Sequence, residues 1–298
     1  MIVGDWGTTR LRLFRSATQG AERLVGPGIG QLRSSPAQTL TTMLEPWAEI
    51  ARAEGVLLCG MAGSRSGLLE LDYAACPVGF ADWSAKTGEV DGVACRIRIA
   101  TGIKAANFAG LPDVMRGEET QVFGAIASDR RLASGRRVLV LPGTHSKWVV
   151  AIDGEIRGFH TFPTGELFAL LRDHSSLARA GADPGEVDAG FDAGVVQGMR
   201  HSLAGLFAAR AAQLVDGRTH GWALGYLSGL LIGGELTEAQ DLIGAPLSTL
   251  TVIGDPSLSA LYRQAGSKLG LSMTLLDGDA CAIAGLNRLA RVYEDKPA

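Results

Sequence analysis

Two stretches of the chain repeat one pattern, an apolar strand that runs into a glycine turn and returns as a second strand, and the fold must house both. The first is Met1 to Arg15, MIVGDWGTTRLRLFR. MIVGD is predicted as a buried strand and WGTT as a tight turn, followed by RLRLF with Leu11 and Leu13 on one face and Arg10 and Arg12 on the other. The second is Arg137 to Phe159, where an apolar strand, the Gly143-Thr144 turn, another strand, an Asp153-Gly154 hairpin turn and a third strand follow one another. The two turns share only Gly-Thr, yet each lies early in one half of the 298 residues, as two related lobes would place them. A chain of this length can hold two cores of roughly 150 residues each.

Between these units Ser34 to Gly55 reads as a helix with Leu40, Met43, Leu44 and Trp47 at helical spacing, interrupted near Pro46 and ended by Gly55. VLLCGMAGSRSG reads as a buried strand entering a glycine-rich loop. Gly117 to Ala127 reads as a helix with Glu118 and Glu119 in its first turn, where the helix dipole favours anions. Further helices are expected from near Glu166, around Met199 to Leu214 as one long element, and around Trp222 to Leu231 with spaced glycines. A strand ending at Gly254 leads to Asp255 as a cap and Pro256 in the first helical position. The last helix takes Asp279 as its candidate cap and carries a stripe of small residues suited to close backbone approach.

Composition narrows the function classes. With 28 Lys and Arg against 31 Asp and Glu, the formal charge of −3 lacks the basic excess that binding to a nucleic-acid backbone uses. The cysteines Cys59, Cys76, Cys95 and Cys281 form no C-x-x-C pair, which argues against a thiolate zinc site and suits a reducing cytoplasm. The opening residues show no basic n-region with a long apolar run, so no secretory signal is expected. The uncharged run from Thr219 to Gly234 is glycine-broken and shorter than the ~20 apolar residues of a membrane span.

No P-loop, zincin or hydrolase-elbow motif occurs, so a nucleotide site must be built another way. A carboxylate at a strand end, Asp5, can hold Mg2+ through its waters while Gly7, Thr8 and Thr9 offer N–H and hydroxyl groups to phosphate and Arg10 adds charge. A surface hairpin in which Asp5 and the threonines only satisfy the turn is the alternative. The second turn, Gly143 to Lys147, offers the hydroxyls of Thr144 and Ser146, the His145 imidazole and the Lys147 ammonium.

The ordered set GDWGTTRLRLFR, GMAGSRSG, DVMRGEETQVFGA, LPGTHSKWV, TFPTGELFALL, YLSGLLIGGEL, VIGDPSLSALY and DGDACAIAGL resembles the 2-dehydro-3-deoxygalactonokinase family over nearly the whole chain. The resemblance extends to the superfamily of sugar kinases, Hsp70 and actin. It implies an α/β fold of two ribonuclease-H-like lobes with a nucleotide cleft between them. Residues 1–130, joined by the helix 279–298, would form the N-terminal lobe with the sugar-acid site, and residues 131–278 the C-terminal lobe. It further implies that Asp5 to Arg10 form the first phosphate element, Gly143 to Lys147 the second, and Gly254, Asp255, Pro256 and Ser257 the adenosine element.

The expected activity is transfer of phosphate from ATP, with Mg2+, to the 6-hydroxyl of 2-dehydro-3-deoxy-D-galactonate in galactonate catabolism. The alternatives are a kinase of the same fold for another sugar or sugar acid and a non-catalytic ATP-binding module. A ribokinase-type sugar-acid kinase is disfavoured because its G-A-G-D string is absent. Many sugar kinases use an Asp as base. Here Glu118 and Glu119, with Glu119 nearest the usual Asp, are the candidates, and Asp113 and His145 stand in reserve. Arg65 and Arg116 are the cations for the substrate carboxylate. Thr164, Gly165 and Glu166 are candidates for its hydroxyls, although a helix N-terminus also explains them. The expected partners are ATP and a small sugar acid, rather than nucleic acid or membrane, and a homo-oligomer is compatible with the sequence.

Overall fold

The computed structural model describes residues 1–15, 22–90, 95–178, 182–245 and 247–294. It divides into two compact units, one made of Met1–Arg137, Val149–Phe159 and Leu276–Ala298, the other of Val138–Trp148 and His160–Leu275. Of the helix expected over 279–298, residues 295–298 lie outside the described residues.

In chain order unit 1 begins with β1 (Ile2–Trp6), β2 (Arg10–Arg15), β3 (Arg23–Pro27), α1 (Pro36–Leu44), α2 (Ala48–Glu54) and β4 (Val56–Gly60). There follow β5 (Ala74–Ala75), α3 (Phe80–Ser84), β6 (Gly88–Val90), β7 (Ile97–Ile99), β8 (Ile103–Ala106), β9 (Pro112–Met115) and α4 (Glu118–Ser128). Ser35 caps α1 through a reciprocal pair with Gln38, and Pro46 separates α1 from α2 in a single tight turn, as the sequence predicts. A six-stranded sheet runs in the order β3-β2-β1-β4-β7-β6, antiparallel through the meander and parallel from β1 to β4 to β7. Trp6, Leu11, Leu13, Leu40, Leu58 and Ile99 fill its core. A smaller sheet, β5-β8-β9, follows in the same unit.

The chain continues with β10 (Arg136–Leu141), β11 (Ser146–Ile152), β12 (Glu155–Phe162), α5 (Thr164–His174), α6 (Val187–Gly205) and α7 (Ala208–Val215). Then come α8 (His220–Ile243), β13 (Thr249–Gly254), α9 (Pro256–Lys268), β14 (Ser272–Asp277) and α10 (Gly278–Glu294), which rejoins unit 1. The second sheet has the order β12-β11-β10-β13-β14, with β10 parallel to β13, so a meander again leads into a parallel crossover. Asp153 and Gly154 both take positive φ at the β11–β12 turn, the backbone a two-residue hairpin needs.

Three expectations change. The single helix expected around Met199 to Leu214 is two: α6 breaks at His201, where φ is −154° and ψ 78°, and α7 starts afresh at Ala208. The break lets Gly205 reach α8, where its carbonyl accepts from the Tyr226 hydroxyl at 3.1 Å. The glycine-spaced helix runs far beyond Trp222 to Leu231, because its glycines are filled from outside by α6. Cβ atoms added at Gly194 of α6 or Gly229 of α8 would overlap the Tyr226 or Phe191 carbonyl of the facing helix. Finally, Asp277 rather than Asp279 caps α10, accepting from the Ala280 N–H at 2.8 Å, and Asp279 is committed elsewhere. Among the described residues no helix is long and apolar enough to cross a membrane.

In unit 1 the small-residue stripe of α10 meets α4 in the same manner, since a Cβ at Gly124 would overlap the Cys281 carbonyl. In an open helix Gly→Ala stabilises by up to ~1 kcal/mol. Gly124→Ala is expected to do the reverse, costing ~1–3 kcal/mol through overpacking, as read by thermal unfolding. A raised Tm would show that α4 and α10 do not touch there.

Candidate functional site

The first hairpin places Asp5 opposite Arg12 of β2 and beside Cys59 of β4. Asp5 is 8% exposed. Its Oδ2 accepts from Arg12 Nη2 at 2.5 Å, and the Cys59 thiol lies 3.8 Å from Oδ1. The other terminal nitrogen of Arg12 donates to Asp279 in the first turn of α10, so one guanidinium joins two carboxylates. Burial pushes the Asp5 carboxyl above its ordinary value and the Arg12 charge pulls it back.

Two glycines admit backbone to this point. Gly60 ends β4 with φ 77°, and a Cβ there would stand 3.0 Å from Asp5 Oδ1. Gly117 precedes α4 with φ 116°, and its Cβ would stand 3.2 Å from Gly60 Cα and 3.8 Å from Asp5 Oδ1. The first turn of α4 therefore begins beside Asp5. Glu118 is partly exposed and its Oε2 accepts from the Arg116 N–H at 3.0 Å. Glu119 is 0% exposed, and its two oxygens accept from the Gly117 N–H at 2.9 and 2.7 Å. Burial, with the Glu118 charge added, pushes the Glu119 carboxyl up to about 8. The Glu118 charge also raises Asp5, so the three carboxyls share one electrostatic neighbourhood.

The turn itself is fixed from below and open above. Carbonyls of Gly7, Thr8 and Thr9 accept from the N–H groups of Ile29, Gly30 and Gly28 at 3.1, 2.9 and 3.1 Å, while Thr8, Thr9 and Arg10 are exposed. Arg65 is exposed and makes no ion pair among the described residues. Arg116 is tucked in, with Nη2 donating to the Leu71 carbonyl at 2.8 Å and its guanidinium 4.2 Å from the Tyr73 ring centre. Asp113, on β9, is partly exposed and its Oδ1 accepts from the Val114 N–H at 2.8 Å.

In unit 2 the second turn rests on the start of α5. The Glu166 N–H donates to the Thr144 carbonyl at 3.0 Å, and a Cβ at Gly165 would overlap the Gly143 carbonyl. Thr144 and His145 are exposed, and His145 Nε2 lies 2.8 Å from Glu166 Oε2. Ser146 and Lys147 turn inward. The Ser146 hydroxyl donates to Glu235 at 2.7 Å and Lys147 Nζ to the Thr161 hydroxyl at 2.8 Å, because β11 is buried on both faces from its first residue. The structure thus commits these two side chains inside the unit. Thr164 and Glu166 are likewise engaged within unit 2, with Glu235 and with His145, beside the second turn.

Beside this turn, Asp255 caps α9 by accepting from the Ser257 and Leu258 N–H groups at 2.9 and 3.2 Å. A Cβ at Gly254 would lie 3.6 Å from Pro142. A cavity of about 340 Å³ opens between Gly143 and Gly165 on one side and Phe168, Phe191, Leu258 and Tyr262 on the other, with Asp188 as its charged lining residue. Among the described residues no three His, Cys, Asp or Glu side chains converge on a metal position.

Sequence reasoning missed Arg12 as a bridge and missed Glu235 and Tyr262. The available signal was Glu235 itself, the first charge after the long uncharged run of α8.

The chain is similar to known proteins over nearly its whole length. The chain is 36% identical over 300 residues to a probable 2-dehydro-3-deoxygalactonokinase of Rhizobium meliloti (strain 1021), covering 96% of this chain and 95% of that one. It is 34% identical over 302 residues to the 2-dehydro-3-deoxygalactonokinase of Escherichia coli (strain K12), covering 97% of each. The crystal structure of a Sinorhizobium meliloti protein provisionally named for the same activity superposes with a TM-score of 0.86 at 33% identity, covering 99% of both chains. A dehydratase component from Acidaminococcus fermentans, at 11% identity and TM-score 0.50, shares the fold alone. The profile of the 2-keto-3-deoxy-galactonokinase family matches residues 5–289, and the chain belongs to that family.

Proposed function

We propose that the protein transfers the γ-phosphoryl group of ATP to the 6-hydroxyl of 2-dehydro-3-deoxy-D-galactonate. Asp5 carries this reading: it is a buried carboxylate at a glycine-threonine turn, with the Glu118-Glu119 turn beginning beside it. The hydroxyl oxygen bonds to the γ-phosphorus, the bond to the ADP oxygen breaks, and the hydroxyl proton passes to a carboxylate. The Glu118-Glu119 pair supplies that carboxylate, and Glu118 is the member a hydroxyl can reach, since Glu119 is sealed against Gly117. Such a transfer asks chiefly for alignment and charge neutralisation. A six-membered ring would use O6, so the reacting sugar acid is open-chain or five-membered.

Each glycine turn, taken within its own unit, is assigned a phosphate-binding role. Gly7 to Arg10 would serve in unit 1, and the Gly143-Thr144 backbone with exposed His145 in unit 2. The apolar cavity bounded by Phe168, Leu258 and Tyr262 fits a nucleobase, next to the Gly254 to Ser257 element. Asp5, whose Oδ2 is engaged by Arg12, would be the residue to hold a hydrated Mg2+, there being no cage of carboxylates among the described residues. When bound it would neutralise phosphate charge. Free and exposed, Arg65 is assigned to the substrate carboxylate, and Arg116, stacked on Tyr73, holds the loop behind it.

Three outcomes are expected. ADP release should require the keto-deoxygalactonate acceptor, and Asp5→Asn should lower it by about 10²-fold in a protein of unchanged circular dichroism. Equal ADP release with the C4 epimer, or none with either, would favour another acceptor.

Arg65→Ala should weaken acceptor binding by roughly one to two orders of magnitude, corresponding to ~1.5–3 kcal/mol for a charged hydrogen bond, with ATP binding unaltered. An equal loss for an analogue with the carboxylate reduced to an alcohol would remove Arg65 from that role.

Glu119 binds its proton more tightly folded than unfolded, so its stabilising effect is complete below about 4.5 and is lost as pH rises to about 8. Glu119→Gln lacks this loss. The Tm of the variant minus that of the wild type should therefore grow between pH 5 and pH 8 and stay level above it, and a gap independent of pH would contradict the raised value.

A further inference from the structure

The carboxylate of Glu235 lies in the second half of α8 and is 4% exposed. Four donors converge on it. The Ser146 hydroxyl and the Trp148 indole N–H reach Oε1 at 2.7 Å each, while Tyr262 OH reaches Oε2 at 2.7 Å together with the Thr164 hydroxyl. These donors come from the strand leaving the Gly143-Thr144 turn, the first residue of α5 on which that turn rests, and the helix that follows the Asp255 cap. Tyr262 and Thr164 also line the cavity.

We propose that Glu235 is a positioning residue for the nucleotide, one buried carboxylate that locks the phosphate turn, the α5 N-terminus and helix α9 at a fixed mutual spacing. This rests on the reading that unit 2 holds ATP. The argument is geometric. Four neutral donors meet two oxygens, and they belong to three pieces of the site's wall and floor, β11, the start of α5 and α9. A burial role alone would be filled by leucine, whereas a carboxylate is required to accept four bonds at once. Held in this way, the turn and cavity wall are arranged before ligand arrives, and the ordering cost of binding falls.

The test uses Glu235→Gln in the full chain. The amide oxygen can stay with Ser146 and Trp148, and the amide NH2 faces two hydroxyls that can rotate to accept, so the core stays filled while Thr164 and Tyr262 lose their acceptor. ATP binding by calorimetry should weaken about tenfold, and binding of the keto-deoxygalactonate alone should stay within about twofold. In the absence of nucleotide, amide hydrogen exchange should quicken at residues 143–147 and 164–167 but not at residues 5–10. Tyr262→Phe should weaken ATP by a smaller factor, and the double variant by less than the product of the two. A folded Glu235→Gln protein with the ATP affinity of the wild type, or with both ligands weakened equally, overturns the proposal. Should Glu235→Gln not fold, unchanged ATP affinity in both Tyr262→Phe and Ser146→Ala overturns it instead. Binding of ATP to the wild type without protection of residues 143–147 and 164–167 would overturn the reading that unit 2 holds ATP, and the proposal with it.

Discussion

Helices in both units touch through bare backbone, and this close approach sets where the functional side chains can stand. Gly190, Gly194 and Gly198 of α6 and Gly225, Gly229 and Gly233 of α8 recur at every fourth position, and each would drive a Cβ into a carbonyl of the other helix. With the two axes this close, Phe191 and Leu224 reach a common cavity from neighbouring helices, and Glu235 is carried to the level of β11. The contact of Gly124 with Cys281 does the same for α4 and α10. It brings the first turn of α10, and so Asp279, to the side of the sheet where Arg12 can span to Asp5.

Two buried carboxylates are then stabilised in different ways. Asp5 faces a full positive charge that it shares with Asp279, so its ionisation depends on a partner with competing demands. Glu235 meets only neutral donors, four of them, which spread its charge over dipoles fixed by three elements. Desolvation raises both carboxyls, and the counter-effect is a charge in one case and a set of hydrogen bonds in the other. The first arrangement leaves Oδ1 of Asp5 with only a weak thiol contact. The second uses both oxygens fully and suits a structural duty.

Local chemistry was legible wherever a short segment determines its own conformation. The alternation in RLRLF, the Pro46 break, the Asp255-Pro256 helix start and the Asp153-Gly154 turn all carry their reason within a few residues. Side-chain direction after the second turn was not legible, because β11 is buried on both faces and period-two alternation, the sign that would assign Ser146 and Lys147 to one side or the other, is missing. Glu235 looks like any charge that ends an apolar run, since the four groups that neutralise it are 27 to 89 residues away. Asp279 offered one local reading, a helix cap, and its actual partner is Arg12, on the far side of the sequence. The break at His201 goes with a contact to α8, the Tyr226 hydroxyl on the Gly205 carbonyl, which lies 21 residues away in sequence.

The bridge from Arg12 to Asp279 spans 267 positions of sequence, and α10 supplies the surface against which α4 packs. During synthesis the segment through Arg137 is complete long before Leu276 appears, and at ~5–20 residues per second that interval is on the order of ten seconds. Through it, Arg12 has one of its two acid partners and the Gly124 face of α4 has none. Unit 1 is therefore a structure whose first and last portions must wait for each other. The α4 face at Gly124 is unfinished until α10 is made, which makes α10 a timing element of folding as well as a part of the fold.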